Sequence, residues 1–435
     1  MIFTDLIFIF AFLPIYIIAG FSSREAWAKN MISIAASLLF IAWGRSWYYV
    51  LIIIPVFLIY ICGLLLPRFG AVFEAVGDII AAASAAFAVV SLAGDGTLHS
   101  ALLSVGFILY ALRAVNYLKK VSDGMAPERD VLCLAVYLIS FENMLIAPLT
   151  GYDKMRKKLA SRRPTLSKTS AGLSKFIKGF AKASVFGLSF DAVRVAATQY
   201  EAFPWLNAIT LIIVTFGEVY VITSGFLEMS AGLCMISGFS PEAETSAFLP
   251  KFRVSEHVAE MWHGLPAMAR ENFAERTLVG TVISLAALSL MTGMFIGFGA
   301  KVGAFLGVLM ILMTLEDLSP KHNKIADLIF SAVLLTVAFL VLIGGSFAGI
   351  STVLGAINPS AYEYDITYIL NLELLRRLPW LIIGAVAVSP LYRLAENALR
   401  RKMAENERAY TALRVADTVI CAALLVLGTI AAFSM

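Results

Sequence analysis

The run WYYVLIIIPVFLIYICGLLL, residues 47–66, contains no charged side chain, and runs like it recur along the whole chain. At 1.5 Å per helical residue such a run covers about 30 Å, the thickness of a bilayer's hydrocarbon core. Further apolar segments lie near 4–20, 31–43, 72–94, 101–118, 131–150, 180–199, 204–222, 225–239, 278–298, 302–315, 326–345, 378–390 and 411–434. With 60% hydrophobic residues, 15% charged ones and a mean hydropathy of +0.84, the composition agrees with that pattern. The expected fold is an all-α polytopic membrane protein, one integral membrane domain over residues 1–435 with eleven to thirteen membrane segments. Some segments are short enough to be re-entrant or interfacial. A membrane β-barrel would show short alternating strands instead of unbroken apolar blocks. Segment 4–20 lacks the basic n-region and small-residue cleavage site of a removable signal.

The charges gather between these blocks. Lys154, Arg156, Lys157, Lys158, Arg162, Arg163, Lys168, Lys175 and Lys178 adjoin a single acid, Asp153. A second charged loop, 391–410, holds Arg393, Arg400, Arg401 and Lys402 ahead of Glu405 and Glu407. Short basic loops stay preferentially in the cytoplasm, so both are expected there, the first comprising a loop and interfacial helix over 151–182. Such loops suit anionic headgroups; an ordinary juxtamembrane stretch explains 171–182 equally well. Nucleic acid is a poor partner, because no soluble domain with interleaved aromatic residues is present. Residues 240–277 carry Arg253, Glu256, Glu260, His263, Arg270, Glu271 and Glu275 in an amphipathic pattern, read as a helical segment at a membrane face, where Trp262 fits.

Ionisable residues inside apolar blocks have a task or a partner. Glu218 and Glu228 stand ten residues apart, about 15 Å along one helix, with a break or bend expected at Ser224-Gly225 between them. Glu228 either lines a cavity or bonds a neighbouring helix. Arg113 is placed to snorkel toward an interface, and Glu142 precedes Pro148 in what reads as a loop at a membrane edge. The cysteines Cys62, Cys133, Cys234 and Cys421 lack metal-ligand or disulfide spacing and read as small apolar packing residues. The sequence holds no Gly-x-Ser-x-Gly elbow, no His-Glu-x-x-His motif and no phosphate-binding Gly-rich loop with lysine. Metal catalysis is not expected.

A succession of stretches resembles the membrane-bound O-acyltransferase (MBOAT) family, and within it the bacterial branch that acylates alginate, other exopolysaccharides and teichoic acids. FTDLIFIFAFLPIYIIAG, SVGFILYALRAVNYLKK and LISFENMLIAPLTGYDKM follow one another in the family's order. SGFLEMSAGLCMISGF is similar to its Ser-Gly-Tyr-Ser-Asp helix, with Phe226 for the tyrosine and Glu228 for the aspartate. FLPKFRVSEHVAEMWHGLPAMAREN resembles the block that carries the family's first histidine, which falls on His263. The resemblance implies an MBOAT-like helical bundle. The family's second histidine, its catalytic base, lies in a Ser-Gly-x-Trp-His-Gly motif. The matching stretch here is TGMFIGFG, 292–299, with Phe295 and Ile296 at the Trp-His positions.

Family chemistry uses that imidazole to take a proton from a hydroxyl that attacks a cytosolic acyl thioester. Oriented proton transfer contributes ~10²–10⁴-fold to such a reaction, and isoleucine accepts no proton. The expected role is a non-catalytic scaffold, or a passage for acyl groups or lipid, in an envelope polysaccharide or lipid pathway. Membrane lipids and a second envelope-biosynthesis protein are the expected partners. The alternative is an active O-acyltransferase with His263 as relocated base, aided by Glu260 or Glu228, with acetyl-CoA or an acyl carrier as co-substrate and no bound cofactor. A helix-capping role for His263 competes with that reading. A transporter on an altered scaffold is a third.

Overall fold

The structure, a computed structural model, describes residues 1–23, 25–43, 47–92, 98–143, 152–160, 162, 164–197, 205–239, 364–388, 398–399, 402 and 407–433. Most of these residues are helical, with no strand among them. The helices are α1 (Leu13–Ser22), α2 (Ala26–Ile41), α3 (Tyr48–Phe69), α4 (Ala71–Leu92), α5 (Leu98–Ser122) and α6 (Val131–Ile139). They are followed by α7 (Tyr152–Ala160), α8 (Leu166–Ala181), α9 (Gly187–Ala197), α10 (Trp205–Ile236), α11 (Tyr364–Val388) and α12 (Glu407–Phe433). Among the described residues, two stretches, Tyr48–Phe69 and Thr411–Phe433, are long and apolar enough to cross a membrane by themselves.

The chain divides into two compact units: Met1–Gly172 with Ser230–Ala243 and Trp262–Ile311, and Leu173–Met229 with Glu244–Met261 and Leu312–Met435. The first unit's core is aromatic at its N-terminal end. A π-turn, Phe8–Phe12, leads into α1. Phe12 and Tyr16 then meet the Phe141 ring edge-on, with centroids 5.3 Å and 4.9 Å away, an arrangement favoured by the ring quadrupoles.

Local chemistry sets several helix ends in this unit. Gly124 and Gly238 take positive φ and close α5 and α10 with paired bonds: Met125 N–H to Lys120 O and Gly124 N–H to Val121 O, and Phe239 N–H to Cys234 O and Gly238 N–H to Met235 O. Only glycine enters that backbone region freely, and the bonds satisfy carbonyls that the helix leaves open. Asp130 caps α6 by accepting from Leu132 N–H. The helix stops at Ile139 because Ser140 leaves helical geometry, and a single 3₁₀ turn, Phe141–Asn143, follows. The apolar segment read over 131–150 is therefore a nine-residue helix with an inward turn, as far as it is described.

In the second unit α8 does not end in a turn near residue 182. It runs through a π-turn, Lys182–Phe186, straight into α9, with Gly187 N–H bonded to Lys182 O. Phe186, Phe190 and Val193 pack there with Leu211, Val214 and Leu381. Lys178, one of the basic residues of the 151–182 segment, pairs with Asp417 of α12 at 2.7 Å.

The break expected at Ser224-Gly225 is absent, for α10 is continuous from Trp205 to Ile236. Gly225 serves close packing instead. A Cβ there would lie 2.7 Å from the Gly179 carbonyl, and one at Gly179 would lie 2.6 Å from the Gly225 carbonyl. In the first unit Gly172 meets the Gly232 carbonyl in the same way, at 2.6 Å. Small residues that let helix backbones touch are the usual packing device where lipid removes the hydrophobic drive between helices.

Candidate functional site

Of the three residues that sequence singles out for chemistry, the structure describes one. His263 and Glu260 lie outside the described residues, as do Phe295 and Ile296. Glu228 is on α10, with its Oε1 2.6 Å from the Lys182 ammonium and both side chains nearly buried. The lysine is the first residue of the π-turn. π-Turns inside α-helices are frequent at functional positions; here the turn places a cation opposite a carboxylate deep in an apolar helix pair. Of the two roles open to Glu228, the bond to a neighbouring helix is the one seen. Glu218 is engaged separately, accepting from Arg194 Nε at 2.7 Å, while Arg194 also pairs with Asp191.

A larger polar constellation sits in the first unit. Glu142 is fully buried. Its Oε1 accepts from Ser237 Oγ at 2.6 Å, Tyr16 OH at 2.8 Å and Ser33 Oγ at 3.3 Å. The Arg162 guanidinium lies 3.7 Å from the same oxygen. It donates to Ser33 Oγ at 2.8 Å, Tyr16 OH at 2.9 Å and the Ser237 carbonyl at 2.6 Å. The Phe239 ring stands 4.5 Å from its central carbon. Charge-assisted bonds of this kind are the strong ones, and in a low-dielectric setting they reinforce one another. Tyr16, Arg162 and Ser237 of this group also line a small recess, together with Ile17, Phe21, Lys29, Ile32 and Ile236.

Neither charge was expected there. The sequence places Glu142 at a membrane edge and Arg162 among loop cations; the structure buries both because each supplies what the other lacks. Arg113, expected to snorkel, is likewise buried and donates to the Leu138 carbonyl at 3.4 Å. Lys182 carried a usable signal, an ionisable residue beside an apolar run. Tyr16, Ser33 and Ser237 carried none, since hydroxyl residues are ordinary in apolar helices.

A second buried acid, Glu128, precedes α6. Its Oε2 accepts from Tyr152 OH at 2.6 Å and pairs with Arg156 Nε at 2.9 Å, while Oε1 accepts from the backbone of Arg129 and Asp130. Burial, and then the bond to Glu128, push the Tyr152 phenol far above its ordinary value, so it remains a donor.

These features define an all-helical membrane protein whose buried charges are matched by specific partners. No family model matches the chain. Among curated proteins it is similar to the probable alginate O-acetylases AlgI of Pseudomonas fluorescens (23% identical over 60% of this chain and 53% of the relative) and Pseudomonas putida (24%, over 60% and 57%). The protein of the same name in Pseudomonas aeruginosa is 23% identical over 60% and 54%. The chain spans little more than half the length of the curated relatives it matches. The likeness to these relatives agrees with the membrane-bound O-acyltransferase resemblance of the sequence.

Proposed function

We propose that this chain is a multi-pass component of the bacterial cytoplasmic membrane serving a pathway that modifies or exports a cell-envelope polysaccharide or lipid. In this reading it holds a partner protein, or passes acyl groups or lipid, and does not transfer the acyl group itself. Its eleven to thirteen membrane segments form one integral domain, with 151–182 and 391–410 in the cytoplasm and 240–277 at the membrane face. The carrying observation is Ile296, where the family resemblance places the catalytic histidine; the curated relatives, named as O-acetylases of an exopolysaccharide, supply the pathway class. Without a base the hydroxyl acceptor keeps its proton, and attack on a thioester stalls. Membrane lipids and a second envelope-biosynthesis protein are the partners; nucleic acid is not.

A retained histidine, His263 in a Trp-His-Gly triplet, supports a second reading in which the chain is itself an O-acyltransferase. Glu260 or Glu228 would then orient the imidazole, and acetyl-CoA or an acyl carrier would be the co-substrate. Glu228 fits less readily, because Lys182 already holds its carboxylate.

The test follows labelled acyl thioester into lipid and polysaccharide in membranes from cells expressing the chain, alone and with the proteins encoded beside its gene. Wild type is compared with His263→Ala and Ile296→His. The expected result is no transfer by the chain alone, with partner-dependent modification that survives His263→Ala. Transfer by the chain alone, abolished by His263→Ala at unchanged protein level, overturns it in favour of the enzyme.

A further inference from the structure

The basic stretch after residue 151 is not a loose tether. Helix α7 buries Tyr152, Met155 and Leu159 on one face and exposes Asp153, Arg156 and Lys157 on the other. Both ends of the segment are fastened to buried acids. At the start, Tyr152 and Arg156 bind Glu128, and the Tyr152 ring packs edge-on against Tyr117 and Tyr137, with centroids 4.9 Å and 5.0 Å away. Two residues past the end, Arg162 enters the Glu142 network. A segment needed only as a positive-inside signal requires no such fixing, because that rule reads charge and not shape.

The segment so fastened is cationic in sequence. Lys154, Arg156, Lys157, Lys158, Arg163 and Lys168 fall within fifteen residues of one another, opposed in that span by no acid. Arg156 keeps 47% of its side chain exposed despite its bond to Glu128. Lys119 and Lys120 close α5, the helix whose Tyr117 packs on Tyr152. Asp153 lies directly before the α7 cations, and Asp123 shortly after Lys119 and Lys120. Within this row, between Arg163 and Lys168 in sequence and at the first position of α8, Leu166 is 79% exposed. A protruding leucine next to a row of cations fits the boundary between headgroups and acyl chains better than the surface of an acidic soluble protein.

We infer that α7 and the first turn of α8 form a preorganised docking surface for anionic phospholipid headgroups, with Leu166 seated in the acyl boundary. The inference requires a chain that resides in a membrane, and is independent of whether the chain transfers acyl groups.

The test uses the full chain in proteoliposomes carrying photoactivatable phosphatidylglycerol or phosphatidylcholine, with cross-linked peptides mapped by mass spectrometry. Phosphatidylglycerol should label peptides from 152–173 in preference, while Tyr48–Phe69 is labelled alike by both probes. Each surface cation contributes about five-fold to attraction by an anionic leaflet. Lys154→Gln/Lys157→Gln/Lys158→Gln should therefore lower the preference at least about five-fold, and high salt should weaken it in wild type. Equal labelling by the two headgroups in wild type overturns the inference. So does a preference that ignores both salt and the substitutions, or peptides from 152–173 left unlabelled by either probe, the result expected if these cations serve an acidic protein.

Discussion

Each unit buries a carboxylate against a cation, and the two do so differently. In the second unit Glu228 and Lys182 form a two-party contact at 2.6 Å. In the first, Glu142 and Arg162 are 3.7 Å apart, and the distance is filled by Tyr16, Ser33 and Ser237, each bonded to the carboxylate oxygen while Tyr16 and Ser33 also accept from the guanidinium. A bare buried pair balances Coulomb gain against desolvation and is close to neutral beside an apolar replacement. A network gains from every satisfied group and loses with every orphaned one. The first arrangement should thus be much harder to replace than the second.

The largest effect should come from Arg162→Met. It leaves the Glu142 carboxylate buried without its cation and withdraws the donors that Tyr16, Ser33 and the Ser237 carbonyl accept from. Breaking a buried pair from one side costs about 3–5 kcal/mol. Adding Glu142→Leu should not fully restore stability, because Tyr16, Ser33 and Ser237 would lose the carboxylate they share and keep only their bonds to one another. Lys182→Met should cost slightly less than Arg162→Met. In this case the double variant Lys182→Met/Glu228→Leu should return to within about 1 kcal/mol of wild type. Unfolding of the detergent-solubilised protein, followed by temperature or denaturant, measures both cycles. Equal rescue in the two units would remove the distinction between them.

Next in size is Gly179→Ala. Its Cβ would sit 2.6 Å from the Gly225 carbonyl and 2.8 Å from the Met229 nitrogen, which are backbone atoms that cannot rotate aside. Overpacking of this kind costs about 1–3 kcal/mol. Gly20 lines the first unit's recess with nothing within 4 Å of the equivalent position, so Gly20→Ala should be neutral in the same assay.

How much of this was legible depended on whether the cause was local. α3, α4 and α12 follow their apolar runs closely, because a long, mostly apolar segment in a membrane has few ways to satisfy its backbone except as a helix. The Ser224-Gly225 reading failed because glycine punctuates chains and also permits close packing, and the choice rests on Gly179 and Ala183 of another helix segment. The Glu142 network was illegible for the same reason: its members at 16, 33, 142, 162 and 237 share no spacing. Glu228 was found, but its partner Lys182 was assigned to the edge of an interfacial helix. His263, Glu260 and the 292–299 stretch lie outside the described residues.

The smallest effect expected is that of Tyr16→Phe, and it probes whether the first network is shared evenly. The ring should remain in place, held edge-on by Phe141 at 4.9 Å, so only the hydroxyl is removed. That hydroxyl donates to Glu142 Oε1 and accepts from Arg162 Nη2. Ser33 and Ser237 still donate to the same carboxylate oxygen, and Arg162 keeps Ser33 and the Ser237 carbonyl. Single hydrogen bonds between membrane helices average about 0.6 kcal/mol and reach about 1.7, and a loss inside that range is expected. A loss as large as that of Arg162→Met would mean that the phenol is the bridge through which the two charges are held. Ser33 and Ser237 would then be bystanders, and the first unit would resemble the second: a two-party contact, with Tyr16 inserted between the parties.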